Sequence, residues 1–239
     1  MQPDQFPQPT VSRAGAVSYD AGLRAHFQRV YNTMAIGLGV TGLVAWIVAS
    51  VPALTHLLLG TPLAWVVMLA PLGFCFFGFT PNAVRTRSVG WLTGMFYAFS
   101  AVFGMSLAAI FLVYSNESIA RVFFITAGMF AATSLYGYTT KKDLAGLGGL
   151  MIMGALGLLI AMVVNMFLHS SMVQFVISAI GVIVYTGLIA WDTQNIKESY
   201  SAGHGDEANG KAAIMGALSL YMDFINLFLF LLRFMGNRE

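Results

Sequence analysis

The chain has 239 residues, of which 58% are hydrophobic and only 9% are Asp, Glu, Lys or Arg. A soluble domain carries about 25% charged residues, so this composition excludes an ordinary soluble globule and places the chain in the membrane class. Twelve basic and ten acidic residues nearly cancel, which gives no basis for a nucleic-acid partner. The single cysteine, Cys75, excludes an intrachain disulfide and sits in an apolar stretch as an inert thiol.

Residues 1–30 read as a cytoplasmic N-terminal segment. Asp4, Asp20 and several prolines precede any apolar run, unlike the basic head and apolar core of a cleavable signal, so the first hydrophobic run is expected to stay as a span. Leu23, Phe27 and Val30 share one helical face while Arg24, Gln28 and Arg29 lie elsewhere. That pattern suits either a short helix on the membrane surface or the polar start of the first span.

Residues 31–239 read as one membrane domain. A crossing helix needs about 20 apolar residues, since each advances roughly 1.5 Å through a hydrocarbon layer of about 30 Å. Seven runs meet or approach that length: 31–51, 59–79, 90–114, 119–138, 147–168, 173–192 and 212–234. Pro52, Thr80-Pro81-Asn82, Ser115-Asn116-Glu117, Lys141-Lys142-Asp143 and His169-Ser170-Ser171 break them, and 194–211 is the one long polar link. The period-2 alternation of a transmembrane barrel is absent, so the fold class is an all-α polytopic bundle. Frequent glycines, such as the pair Gly90 and Gly94, suit close helix packing.

Basic residues set the orientation. Arg13, Arg24 and Arg29 precede the first span. Arg85 and Arg87, Lys141 and Lys142, and Lys197 and Lys211 occupy every second link, while the alternate links hold only Arg121. The N-terminus and the charged links are therefore expected in the cytoplasm. Seven full crossings put the C-terminus outside, although Arg233 and Arg238 argue mildly for a last segment that crosses incompletely.

Asp223 lies near the middle of the last run. A charge at mid-bilayer costs at least about 2.5 kcal/mol, so a carboxylate facing lipid is disfavoured. Gly216, Ser219, Asp223 and Asn226 recur at helical spacing, and this stripe is expected to point into the bundle. Asp192 ends the sixth run, either as an interfacial carboxylate reaching water or as a partner for Asp223. Two carboxylates in one poorly hydrated site should not both be ionised, so a pair would share a proton and titrate as a unit. Loss of that proton would separate the helices and create an oxygen-rich place for a transient calcium ion.

Arg85 or Arg87 could then supply a releasable salt bridge to Asp192, or serve only as topology signals. Tyr185 lies two turns before Asp192 on the same face and can hydrogen-bond within the bundle. Asn165, Thr133 and Ser134 read as interhelical hydrogen bonders or interface residues, and Glu117 as a solvated loop residue, with help to an entering cation as the alternative. His26, His56, His169 and His204 form no pair at metal-ligand spacing, and there is no HExxH motif. No cofactor is expected.

Three segments carry a family resemblance: Gly137-Tyr-Thr-Thr-Lys-Lys-Asp-Leu144, Trp191-Asp-Thr-Gln-Asn-Ile-Lys197, and Ala217-Leu-Ser-Leu-Tyr-Met-Asp-Phe-Ile-Asn226 running on to Leu231-Leu-Arg233. With them the chain resembles the transmembrane Bax inhibitor motif family, including its bacterial members, from about residue 20 onward. Trp191 stands where a tyrosine is more usual. The resemblance implies seven helices with the last surrounded by the other six, in a bacterial inner membrane. It also implies a pH-sensitive calcium leak controlled by an aspartate pair near the cytoplasmic side, matched here by Asp192 and Asp223. A basic side chain helps latch the family's closed state, and its position does not align securely to Arg85 or Arg87.

Rival functions remain open on the residues alone. A proton-coupled transporter also needs buried carboxylates, and a membrane scaffold that regulates quality control needs neither ion. An intramembrane aspartyl protease is disfavoured, because Leu220-Tyr-Met222 precedes Asp223 where Gly-x-Gly is required. The expectation is a non-enzymatic protein whose partners are lipid, protons and calcium.

Overall fold

The computed structural model describes residues 13–237; the side chains of residues 13–18, Cys75 and Phe76 lie outside the described residues, as does Arg238. The described chain is helical in order α1 (Arg13–Ser50), α2 (Pro52–Leu59), α3 (Leu63–Gly78), α4 (Pro81–Thr86), α5 (Val89–Leu107), α6 (Ile110–Val113), α7 (Asn116–Thr139), α8 (Ala145–Leu168), α9 (Ser171–Ser199) and α10 (Asp206–Met235). Of the turn residues read from the sequence, Thr80, Ser115 and Ser170 begin helices by capping, each accepting a first-turn backbone N–H, and Ser88 does the same for α5. Asn165, in the last turn of α8, accepts from Ser170 N through its Oδ1 and so ties α8 to the cap residue of α9.

Six helices, or helix pairs read as one, are long and apolar enough to cross a membrane, and a bent pair makes a possible seventh. That pair departs from the expected span 59–79. α2 and α3 meet at 76° across Gly60-Thr61-Pro62, so the second segment is either a broken span or a re-entrant loop. The third span is also interrupted, by a turn at Ala108-Ala109 between α5 and α6. Residues 13–30 run without a break into the first span. Leu23, Phe27 and Val30 are buried against the bundle, so they do not form a separate surface helix.

The long polar link expected at 194–211 is mostly helix. α9 runs on to Ser199 and α10 begins at Asp206, leaving 200–205 as the connection. Polar residues do not end a helix that still packs on a neighbour. Gly216 lies against Ile196, and Asn209 Nδ2 donates to the Ser201 and His204 carbonyls, closing the turn.

α10 is the centre of the bundle. It packs on α9, α1, α7 and α5, and 72% of its apolar 18-residue stretch is buried, against at most 33% in any other candidate span. Its Leu220, Tyr221 and Leu227 are fully covered, among Phe96, Phe99 and Phe130 of the surrounding helices. It also crosses the whole bundle. Near its start, Lys211 Nζ donates to the Arg85 carbonyl at the basic-link end. Past its end, Asn237 N donates to Ser118 Oγ at 2.9 Å and its carbonyl accepts from Ser115 N, at the opposite end. Arg121, the exception to the charge pattern, pairs with Glu117 one turn away at that same end.

Candidate functional site

The family-like segments explain one another through contacts. Gly137 of α7 lies so close to α9 that a Cβ there would meet the Ala190 carbonyl, and a Cβ at Gly148 of α8 would fall 2.3 Å from the Trp191 ring. Gln194 then clamps the α7–α8 link with both ends of its amide. Its Oε1 accepts from Leu144 N at 2.8 Å and its Nε2 donates to the Lys142 carbonyl at 2.9 Å. Lys197 Nζ donates to the Tyr138 carbonyl and sits 5.2 Å over the Tyr138 ring. These contacts hold the C-terminal stretch of α9 against α7 and α8.

Asp192 stands on this braced stretch, half-buried, and its carboxyl comes within hydrogen-bond reach of Asp223 across the α9–α10 interface. Asp192 also reaches Ser219 and Asn195. Asp223 is only 6% exposed, and no donor among the described residues reaches its Oδ2. Tyr185 stacks on Phe230 with ring centroids 5.6 Å apart and lies near enough to Asp223 to interact with its charge.

The polar stripe sits differently from its expected place. Gly216 and Asp223 are buried, but Ser219 is exposed and Asn226 half-buried, its Nδ2 turned back to the Met222 carbonyl. The deepest face of α10 is the aromatic one carrying Tyr221, because bulky apolar side chains fill the centre of the bundle. The partly uncovered residues recur as Lys211, Met215, Ser219, Met222, Asn226, Leu229 and Arg233, one strip along α10. The carboxylate pair lies beside this strip.

Arg85 and Arg87 are not brought to the pair. Both are exposed, on α4 and just after it; the Arg87 guanidinium lies 5.2 Å over the Trp91 ring, and Arg85 contributes its carbonyl to Lys211. No salt bridge to Asp192 is formed among the described residues. Two carboxylates, a hydroxyl and an amide offer oxygen ligands, but a resident calcium takes about six to eight and usually more carboxylate. Among the described residues there is no group of three or more His, Cys, Asp or Glu able to hold a metal.

Two features escaped the sequence reading. Thr41 on α1 joins Tyr221 on α10, Oγ1 to Oη, at 2.6 Å. Tyr31, Ser134 and Thr193 form a hydroxyl chain across α1, α7 and α9, with links of 2.5 and 2.9 Å. Ser134 was anticipated as an interhelical hydrogen bonder, whereas Thr133 bonds only its own helix at the Met129 carbonyl. Isolated hydroxyls in apolar runs carry no signal of which helix they face.

Fold and site together define a polytopic helical membrane protein with a carboxylate pair against a central last helix. Comparison with known proteins gives the family. Residues 23–239 match the family model described as inhibitor of apoptosis-promoting Bax1. The chain is 41% identical over 238 residues to the inner membrane protein YbhL of Escherichia coli, covering 99% of this chain and 100% of that one. It is 45% identical over 225 residues to the uncharacterized protein RP147 of Rickettsia prowazekii, and 43% over 235 residues to an uncharacterized protein of Caulobacter vibrioides, with 93% of each chain covered in both cases. The chain belongs to the Bax inhibitor family.

Proposed function

We propose that this protein is a calcium leak pathway whose opening is set by a proton shared between Asp192 and Asp223. The observation that carries this reading is the contact of two carboxyls, one of them 6% exposed, beside a partly uncovered strip of the central helix. With no donor at Asp223 Oδ2 among the described residues, a proton on one carboxyl supplies the missing hydrogen bond and ties α9 to α10. When that proton leaves, two like charges in a site of low polarisability repel each other; at roughly 4 Å and an effective dielectric constant of about 20 the cost is on the order of 4 kcal/mol. That is enough to push the packed helices apart locally and to attract a divalent cation. Protons close the path, and calcium competes with them for the same oxygens, with Ser219, Asn226 and Tyr185 as polar neighbours.

The reading assigns ion passage and no catalysis to a single membrane domain of seven crossings, counting α2 and α3 as one. It sets the protein in a bacterial inner membrane, as the name of the Escherichia coli relative says of that protein. The N-terminus and basic links face the cytoplasm, and the C-terminus the other side.

The test is calcium flux into liposomes holding the purified chain, from mildly acidic to mildly alkaline pH. Wild-type flux should rise with pH. Asp192→Asn and Asp223→Asn should each flatten that dependence, since an amide keeps the hydrogen bond and cannot release the charge. Unaltered pH dependence in both variants refutes the paired sensor. Absence of calcium flux throughout, with saturable exchange of another solute against protons, would make it a proton-coupled transporter; partner binding that changes with the aspartates, without flux, would make it a scaffold.

A further inference from the structure

A groove of about 530 Å³ lies between α1 and α7, on the far side of Ser134 from Asp192's helix, and the leak mechanism makes no use of it. Its size falls within the roughly 300–1,000 Å³ of small-molecule sites. The two helices run antiparallel, so Arg24 and Tyr138 line one end while Tyr31 and Phe130 line the other. From Arg24 to Tyr31 is seven residues, about 10 Å of helix rise. Along that length the lining changes character. At the outer rim stands the exposed Arg24, with Lys197 against the Tyr138 ring on which Phe27 packs; further in come Gln28, Leu135 and Ser134, and then Tyr31, Ala131 and Phe130, with no further charge.

This gradient fits an amphiphile lying parallel to the helices, with its charge at the bundle end and its hydrocarbon toward mid-membrane. The charge is anionic. Arg24 takes no role in the ion pairs among the described residues, which are Arg121–Glu117 and Lys211–Glu207. The nearby acids do not quench it: Asp20 lies a turn earlier on α1, exposed, and Glu198 is exposed beside Lys197. Leu135 is 63% exposed despite lying in the membrane-crossing helix α7, so the groove opens toward lipid and not into the protein. We infer that this groove binds an anionic phospholipid, its phosphate on Arg24 and one acyl chain along Phe27, Phe130 and Leu135.

The bound chain would lie against Tyr31, whose hydroxyl begins the links to Ser134 and Thr193, and would brace the contact of α1 and α7 with α9. This inference rests on the membrane reading and not on calcium passage, and its test does not involve flux.

The experiment is native mass spectrometry of the full chain released from detergent, titrated with phosphatidylglycerol and with phosphatidylcholine of the same acyl chains. The wild type should retain phosphatidylglycerol at about fivefold lower concentration, the ratio that about 1 kcal/mol per basic residue predicts. Arg24→Gln should erase the preference. Ala131→Trp, at an exposed groove position, should fill the space and cut retention of both lipids while melting like the wild type. Equal retention of the two lipids by the wild type overturns the inference. So does a phosphatidylglycerol preference that survives Arg24→Gln, or wild-type retention of both lipids by Ala131→Trp.

Discussion

The face of α10 opposite the carboxylates should be held by one interhelical hydrogen bond whose contribution can be isolated. Thr41 Oγ1 lies 2.9 Å from both the Gly37 and Ser100 carbonyls and 2.6 Å from Tyr221 Oη. The threonine has a single proton, and it goes to those carbonyls, so Tyr221 O–H donates to Thr41. Tyr221 is fully buried, edge-on to Phe96, Phe99 and Phe103 at 5.4, 5.8 and 6.2 Å. Tyr221→Phe keeps that packing and deletes only the donor. Interhelical hydrogen bonds in membranes are worth about 0.6 kcal/mol on average and about 1.7 at most, so a loss near 1 kcal/mol is expected. Thr41→Val should cost more, about 1–3 kcal/mol, because it strips a donor from a buried carbonyl and leaves the phenol only the Ser100 hydroxyl nearby. In the double variant no phenol is left unpaired, so a coupling of about 0.5–1.5 kcal/mol is expected. The assay is unfolding of the purified chain in mixed micelles with rising SDS, followed by the emission of its four tryptophans. Coupling below about 0.3 kcal/mol, the range of independent sites, would show that the bond does not join α1 to α10.

Two further predictions concern the bracing of α9. Gly148→Ala should destabilise by about 1–3 kcal/mol as its Cβ drives into the Trp191 ring, while Gly149→Ala, whose Cβ meets nothing within 4 Å, should be neutral or stabilising; equal effects in the SDS titration would refute the close approach. Gln194→Leu removes both bonds to the α7–α8 link, so trypsin should cut after Lys141 or Lys142 faster than in the wild type, and an unchanged rate would mean the link is held otherwise.

What was legible in the sequence follows from which physical signals are local. Hydrocarbon thickness is a property of length and composition, so α7 to α10 fall where the apolar runs lie. Helix ends are less local. α9 and α10 extend past their apolar stretches because Gly216 can receive Ile196 and Asn209 can close the turn, contacts that hydropathy does not register. The bend between α2 and α3 was hidden for the opposite reason: Leu and Ala continue on both sides of Gly60-Thr61-Pro62, so composition reads as continuous where direction changes. Asp223 stood out because a carboxylate at that depth is costly anywhere in the bundle. Ser219 was expected inward with it yet lies uncovered, because a serine is tolerated on either face and its place depends on which helices flank α10.

The two faces of α10 place opposite demands on the same helix, and this bears on how a proton could act as a switch. On one face Leu220, Tyr221 and Leu227 fill a dense aromatic core, with a hydrogen bond to α1 that has no titratable partner near physiological pH. Interiors packed to that density do not deform by degrees. On the other face the strip through Ser219 and Asn226 is partly uncovered, so Asp192 and Asp223 can separate without opening a void in the core. A charge change at the pair would thus be expressed as movement of α9 at its own end, beyond the Gln194 and Lys197 ties, with α10 held still. It follows that loosening those ties should ease opening more than any change on the Tyr221 face, and that Gln194→Leu should shift the pH dependence of flux while Tyr221→Phe leaves it in place. A shift of equal size in both would mean that α10 itself moves.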